Sequence, residues 1–184
     1  MNVCIYGASS DTIAKCYINP VEELGRKLAA HGHSLVFGGG KNGLMGAAAR
    51  GFKSCGGRVV GVAPEFFRPD GVLFEDCDDF VYTSTMRERK EIMENRSDAF
   101  IVTPGGPGTL DEFFEIFTLR QLGRHNKPVA VFNVHGYYNE LHAQLEKAVN
   151  RQFMKSETLK SCPFFDSADR LIAYLESANI FKNM

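Results

Sequence analysis

The sequence predicts an α/β protein: a doubly wound parallel sheet with helices on both faces. Three observations lead there. Short apolar, β-branched runs alternate with helical patterns along the chain. The chain has 184 residues, short for a closed eight-fold α/β barrel, so an open sheet fits better. Four turns of small residues each follow a predicted strand, which puts all four at the carboxyl edge of a parallel sheet.

The elements follow in order. "VCIY" gives a first strand over 3–6, and a helix is expected over 18–31. "SLVF" gives a strand over 34–37, followed by a helix over 43–55. A third strand covers 58–62. The stretch 64–78, "PEFFRPDGVLFEDCD", has turn residues and scattered aromatics but no clean period. It reads as a long surface loop, and long loops in compact domains are often functional. A strand over 79–82 leads into a helix over 84–96. A strand over 99–103 leads into a helix over 109–122, whose buried stripe is Leu110, Phe113, Phe114 and Phe117. A strand over 128–133 precedes a helix over 137–150, and a last helix covers 167–178. No repeat, low-complexity tract or linker interrupts the chain, so residues 1–184 read as a single domain.

Composition narrows the function classes. With 44% hydrophobic residues and 15 Phe, the chain can bury a full core. A net charge of -1 supplies no global field to attract nucleic acid or an anionic membrane. The five cysteines form no C-x-x-C pair and read as reduced thiols. No basic segment or cleavage signal precedes "NVCIYG", and no apolar run approaches the ~20 residues of a membrane span. A cytoplasmic protein with no nucleic-acid or membrane partner is expected. The five histidines show no metal-ligand spacing and read mostly as surface or turn residues, so no metal and no cofactor is expected.

The four turns are "YGASS" (6–10), "FGGGKNGLMG" (37–46), "TPGGPGT" (103–109) and "NVHGYY" (133–138). "GGGKNG" satisfies G-x-G-x-x-G between a strand and a helix. It is compatible with a dinucleotide, another phosphate ligand or plain close packing. Glu65 stands near the spacing of a ribose ligand but past the end of the third strand. "PGGPGT" favours a phosphate. Glycines allow close backbone approach, successive N–H groups can form an anion nest, and a helix N-terminus follows. No Walker lysine is present, so a phosphate monoester held mainly by backbone fits better than a nucleoside triphosphate.

Charged residues add a second signal. Thr109-Leu110-Asp111-Glu112 is T-x-x-E, so Glu112 can complete a capping box or act as a catalytic carboxylate. Spacing alone leans to the cap. Met86, Arg89, Lys90 and Met93 share one helical face, which by its methionines faces inward. Arg89 and Lys90 there either snorkel to the edge or face an anion in a pocket. Ser9 and Ser10 read as substrate ligands or as a simple N-cap. No nucleophile elbow or Cys–His arrangement supports covalent catalysis.

These residues resemble a known family. Pro104–Glu112 reads P-G-G-x-G-T-x-x-E, and Glu88-Arg89-Lys90 precedes it on a helix. "GGGKNGLMG", "SDAFIVTPGG", "QLGRHNKPV" and "NVHGYY" follow the same pattern in order. The chain from about residue 3 to 153 is similar to the LONELY GUY family of cytokinin riboside 5'-monophosphate phosphoribohydrolases. Members are often labelled lysine decarboxylases, but this sequence has no pyridoxal-phosphate lysine motif. The resemblance implies a Rossmann-like fold, a homodimer with both subunits near the site, and a small-molecule substrate. The reaction would release a free purine base and ribose 5-phosphate from a nucleoside 5'-monophosphate. It implies catalytic roles for Arg89 and Glu112. It implies substrate contacts at Ser9, Gly39, Gly40, Gly43, Met45, Lys90, Gly105, Gly106, Pro107, Gly108, Thr109, Leu110, Asp111 and Thr118. The chain departs from the family at Pro107, usually aromatic, and at Leu119, usually Trp. A non-catalytic nucleotide sensor or carrier on the same fold is the alternative from another class.

Overall fold

A computed structural model describes residues 1–180 of the chain. The last four residues of the expected domain, 181–184, lie outside the described residues. The described strands are β1 (Asn2–Tyr6), β2 (Ser34–Phe37), β3 (Val59–Pro64), β4 (Asp79–Thr83), β5 (Ala99–Val102), β6 (Val129–Phe132) and β7 (Phe164–Phe165). All pair in parallel, in the order β4-β3-β2-β1-β5-β6-β7. The helices are α1 (Lys15–Ala30), α2 (Gly43–Ser54), α3 (Met86–Asn95), α4 (Pro107–Gln121), α5 (Asn139–Asn150), α6 (Ser156–Lys160) and α7 (Ala168–Ile180).

Strand periodicity builds two cores, one on each face. Successive side chains of a strand point to opposite faces. Val3 and Ile5 of β1, Leu35 and Phe37 of β2 and Ile101 of β5 pack against α1, α2 and α7. Cys4 and Tyr6, Val36, Phe100 and Val102 from the same strands pack against α3, α4 and α5. This is the doubly wound arrangement the sequence predicts. Because both faces are covered, the strands are continuously apolar rather than alternating.

The differences are local. Helix α1 begins at Lys15, three residues before the expected start, and carries Pro20 inside it. α6 and β7 were not expected. Both are very short, five and two residues, below what periodicity can register. Two histidines expected at the surface are buried. His125 sits beside the Phe100 ring with Nε2 2.9 Å from the carbonyl of Ile116, and His33 lies near Glu176 of α7. All five cysteines are free. Burial pushes the thiols of Cys4, Cys77 and Cys162 up to about 12, which makes them inert. No described helix is long and apolar enough to cross a membrane.

The strand order fixes where a ligand can enter. The chain runs outward from β1 through β2 on one side and through β5 on the other. The β1 and β5 turns therefore diverge and leave a crevice at the carboxyl edge between them, the switch point of an open α/β sheet.

Candidate active site

The crevice is a cavity of about 550 Å³. Three of the four small-residue turns line it: Gly7 to Ser10 after β1, Gly38 and Gly40 after β2, and Gly106 to Thr109 after β5. The fourth turn, 133–138, stands behind the β5 turn and braces it. Tyr137 donates its hydroxyl to the carbonyl of Gly105 at 3.0 Å, and Tyr138 donates to that of Thr103 at 3.0 Å.

The start of α4 presents free backbone donors to the cavity. Gly106 is its N-cap, with extended backbone and no side-chain cap. Pro107 takes the first helical position, where its fixed φ suits the helix and its missing N–H costs nothing. The first bond into the cap is from Leu110 N–H to the carbonyl of Gly106, at 3.1 Å. The N–H groups of Gly108 and Thr109 have no partner among the described residues and lie at the positive end of the helix dipole. The start of α2 is different. Leu44 and Met45 both donate to the carbonyl of Ala8, at 2.8 and 3.3 Å. These are the donors a dinucleotide pyrophosphate would need, so the dinucleotide reading fails on geometry. Glu65, its candidate ribose ligand, does not line the cavity.

The expected capping box at Thr109 does not form. The helix starts at Pro107, two residues earlier, so Glu112 is a full turn beyond the cap. A related cap is on α3 instead, with the glutamate reaching one residue before the cap. Thr85 Oγ1 accepts from the Glu88 N–H at 3.1 Å, and Glu88 Oε2 accepts from the Ser84 N–H at 2.7 Å. That cap fixes the rotation of α3, so the next residue, Arg89, points at the sheet.

Glu112 turns inward, and Phe114, expected in the buried stripe, is instead 40% exposed. Glu112 is only 8% exposed and Arg89 only 6%. Arg89 Nη1 donates to Glu112 Oε1 at 2.7 Å, and Nε donates to the carbonyl of Val62 at 3.1 Å. Burial pushes the Glu112 carboxyl above its usual range, and the Arg89 charge offsets part of that rise. Both residues line the cavity. Arg89 Nη2 has no hydrogen bond among the described residues, and neither has Glu112 Oε2.

Ser9, Gly40, Met45, Gly106, Pro107, Gly108, Thr109 and Asp111 join the pair on the cavity wall. Ser9 and Ser10 cap nothing, since α1 begins after Ala14. Gly39, Gly43, Lys90, Gly105, Leu110 and Thr118 do not line the cavity. Gly43 takes a φ of 59° so that α2 can start against the β1 turn. Lys90 is an α3–α4 strap: its Nζ meets Asp111 Oδ2 at 2.9 Å and Glu115 Oε2 at 2.8 Å. Burial opposes its charge, but those two carboxylates raise its pKa on balance. Leu110 packs at the edge of the core, and Thr118 is exposed about three turns along α4.

The structure adds a wall that residue patterns did not resolve. The loop after β3 folds back over the β2 turn. Gly40 and Leu73 form an antiparallel bridge, with Lys41 N–H on the carbonyl of Val72 and Phe74 N–H on that of Gly39, at 2.9 and 2.8 Å. Phe67, Asp70, Val72 and Leu73 thereby line the cavity, with Met86 of α3 nearby. The aromatics and the length of 64–78 were the available signal, but no period pointed to particular side chains.

Fold and site together define an open α/β protein with unpartnered N–H groups at a helix start and a buried Arg–Glu pair beside them. The chain is similar to known proteins in sequence and in fold. Residues 45–175 match the family described as "Possible lysine decarboxylase". A cytokinin riboside 5'-monophosphate phosphoribohydrolase of Mycobacterium tuberculosis is 39% identical over 165 residues, 90% of this chain and 88% of that protein. A probable enzyme of the same name from Oryza sativa subsp. japonica is 38% identical over 174 residues, 95% of this chain and 71% of that protein. The fold is also that of the molybdenum cofactor carrier protein of Chlamydomonas reinhardtii. There the TM-score is 0.73 at 22% identity, over 97% of this chain and 98% of that one. The chain belongs to the LONELY GUY family.

Proposed function

We propose that this chain is a phosphoribohydrolase, cleaving the N-glycosidic bond of a purine nucleoside 5'-monophosphate to free base and ribose 5-phosphate. The observation that carries the reading is the buried Arg89–Glu112 pair opening onto the same cavity as the free N–H groups of α4. A pure phosphate binder gains nothing from a buried carboxylate beside its anion. A hydrolase of a glycosidic bond does.

The 5'-phosphate sits on the N–H groups of Gly108 and Thr109, with the Ser9 hydroxyl nearby. This remote binding energy holds C1' near Glu112. As the C1'–N bond breaks, its electron pair leaves with the base and positive charge grows on the sugar. The Glu112 carboxylate stabilises that charge and takes a proton from the attacking water, whose oxygen bonds to C1'. Its raised pKa makes it a better base than an exposed carboxylate. Arg89 keeps it ionised, and its spare Nη2 offsets charge on the nucleotide. The departing base recovers its proton from solvent.

Residues 1–184 act in this reading as one nucleotide-binding domain in the cytoplasm, working as a homodimer on a small molecule, without nucleic acid, membrane, metal or cofactor. Incubation with AMP and with N6-isopentenyl-AMP, followed by chromatography for free base, tests the activity. Glu112→Gln should keep the fold and AMP binding while losing about 10²–10⁴-fold in turnover. Binding without base release by the wild-type chain would favour a sensor or carrier instead.

A further inference from the structure

Gly38, the first residue after β2, is absent from the predicted set, yet it lies against the guanidinium that the site depends on. Its φ is not in the left-handed region, so its backbone conformation is open to any residue. What the position lacks is room. A Cβ there would collide with Arg89 Nη2, lie 3.1 Å from Arg89 Cζ and lie 3.0 Å from Met45 Sδ. A collision with the end of a long side chain is usually relieved by moving that chain. Arg89 cannot move freely, because Nε is held by Val62 and Nη1 by Glu112 in a buried setting.

The guanidinium therefore bridges three elements. Nε is tied to β3, Nη1 to α4, and Nη2 occupies the space left open at the end of β2. Nη2 is also the one nitrogen of Arg89 that makes no hydrogen bond among the described residues, and both Gly38 and Arg89 line the cavity. Filling the Gly38 space would push Nη2 out of the wall and strain the Nη1–Glu112 bond. Other glycines of the chain have tight surroundings with no link to the site. A Cβ on Gly25 of α1, for example, would lie 2.5 Å from the carbonyl of Ala48 on α2.

We propose that Gly38 is a positioning residue for the phosphoribohydrolase reaction: the missing side chain seats Arg89 with Nη2 as the free donor facing the nucleotide and Nη1 on Glu112. This rests on the function proposed above for the Arg89–Glu112 pair. Two readouts separate the two ideas. The first is kcat/KM for AMP against pH. The second is the titration of the Glu112 carboxyl by ¹³C NMR, assigned by its loss in Glu112→Gln, which needs no activity.

Gly38→Ala should lower kcat/KM by about 10²-fold, the usual effect of misplacing a catalytic group by an ångström. It should also raise the Glu112 titration, since the displaced arginine no longer favours the carboxylate. Gly25→Ala should lower thermal stability and leave that titration where it was. In an Arg89→Lys background, which lacks Nη2, adding Gly38→Ala should cost no further activity or stability. If Gly38→Ala alone does not fold, recovery of folding in the double variant supports the clash, and failure of both overturns it. A wild-type Glu112 titration and wild-type kcat/KM in Gly38→Ala would also overturn it. An NMR shift without any turnover of nucleotide by the wild-type chain would sink the proposed function and Gly38's part in that reaction, and leave standing only the seating of Arg89 by Gly38.

Discussion

Arg89→Met offers a quantitative test of the buried pair. The substitution keeps most of the apolar stem of the side chain but removes its charge and its hydrogen bonds to Val62 and Glu112. Glu112 then lies buried without a counter-charge. Breaking a buried pair this way costs about 3–5 kcal/mol if the remaining charge stays ionised. A carboxylate has an escape, because it can protonate. Its ordinary pKa of 4.5 lies 2.5 units below pH 7. At 1.36 kcal/mol per unit, protonation limits the electrostatic loss to about 3.4 kcal/mol at pH 7 and to about 0.7 kcal/mol at pH 5. Losing the donor to Val62 adds about 1 kcal/mol at either pH. For a chain of this size each kcal/mol moves Tm by about 2–4 °C. The variant should therefore melt up to about 9–18 °C below wild type at pH 7 and only up to about 3–7 °C below it at pH 5, read by thermal melting with circular dichroism. Adding Glu112→Gln should recover most of the loss at pH 7. Equal losses at both pH values, or no recovery in the double variant, would refute the claim that an uncompensated Glu112 charge is the cause.

Three further outcomes follow from the site and its supports. Burial holds the Glu112 pKa above 4.5, so the acidic limb of kcat/KM should lie above that value and move further up when Arg89 is removed. The sign for stability is opposite: the contribution of protonated Glu112 is fully present below pH 4.5 and is lost as pH rises through the folded-state pKa, so activity and this stability term cross in one window, visible in paired rate and melting profiles. Tyr137→Phe removes the donor to Gly105, and loosening the phosphate loop should raise KM for AMP by about 2–10-fold with little change in Tm. Thr85→Ala removes the cap that sets the rotation of α3, and should cost about 1 kcal/mol of stability, a drop of about 2–4 °C in Tm.

Much of the site could be read from the sequence because loop chemistry is local. Glycines 105, 106 and 108 pointed to a turn with backbone donors left free, and Pro107 finds its reason in the first position of α4. Arg89 stood out as a cation on a methionine-lined face. Lys90 carried the same signal and leads elsewhere, to Asp111 and Glu115, because adjacent helical residues point about 100° apart. The fate of Glu112 depended on a helix start that lies two residues before the expected one, and boundaries are set by packing as much as by motif.

By itself the sequence determined the strand and helix pattern, the doubly wound class and the carboxyl-edge address of the turns. Periodicity and turn residues encode these within a few positions of the chain. Only the tertiary structure decided which turns keep their donors free. The β1 turn places the carbonyl of Ala8 on the start of α2 and closes it, while no acceptor among the described residues takes the Gly108 and Thr109 N–H groups of α4. Only the fold brought Arg89 and Glu112, 23 residues apart, into a 2.7 Å buried contact, and laid the loop after β3 across the cavity. Those outcomes turn on which groups far apart in the chain come to share one low-dielectric space, and no local pattern specifies that.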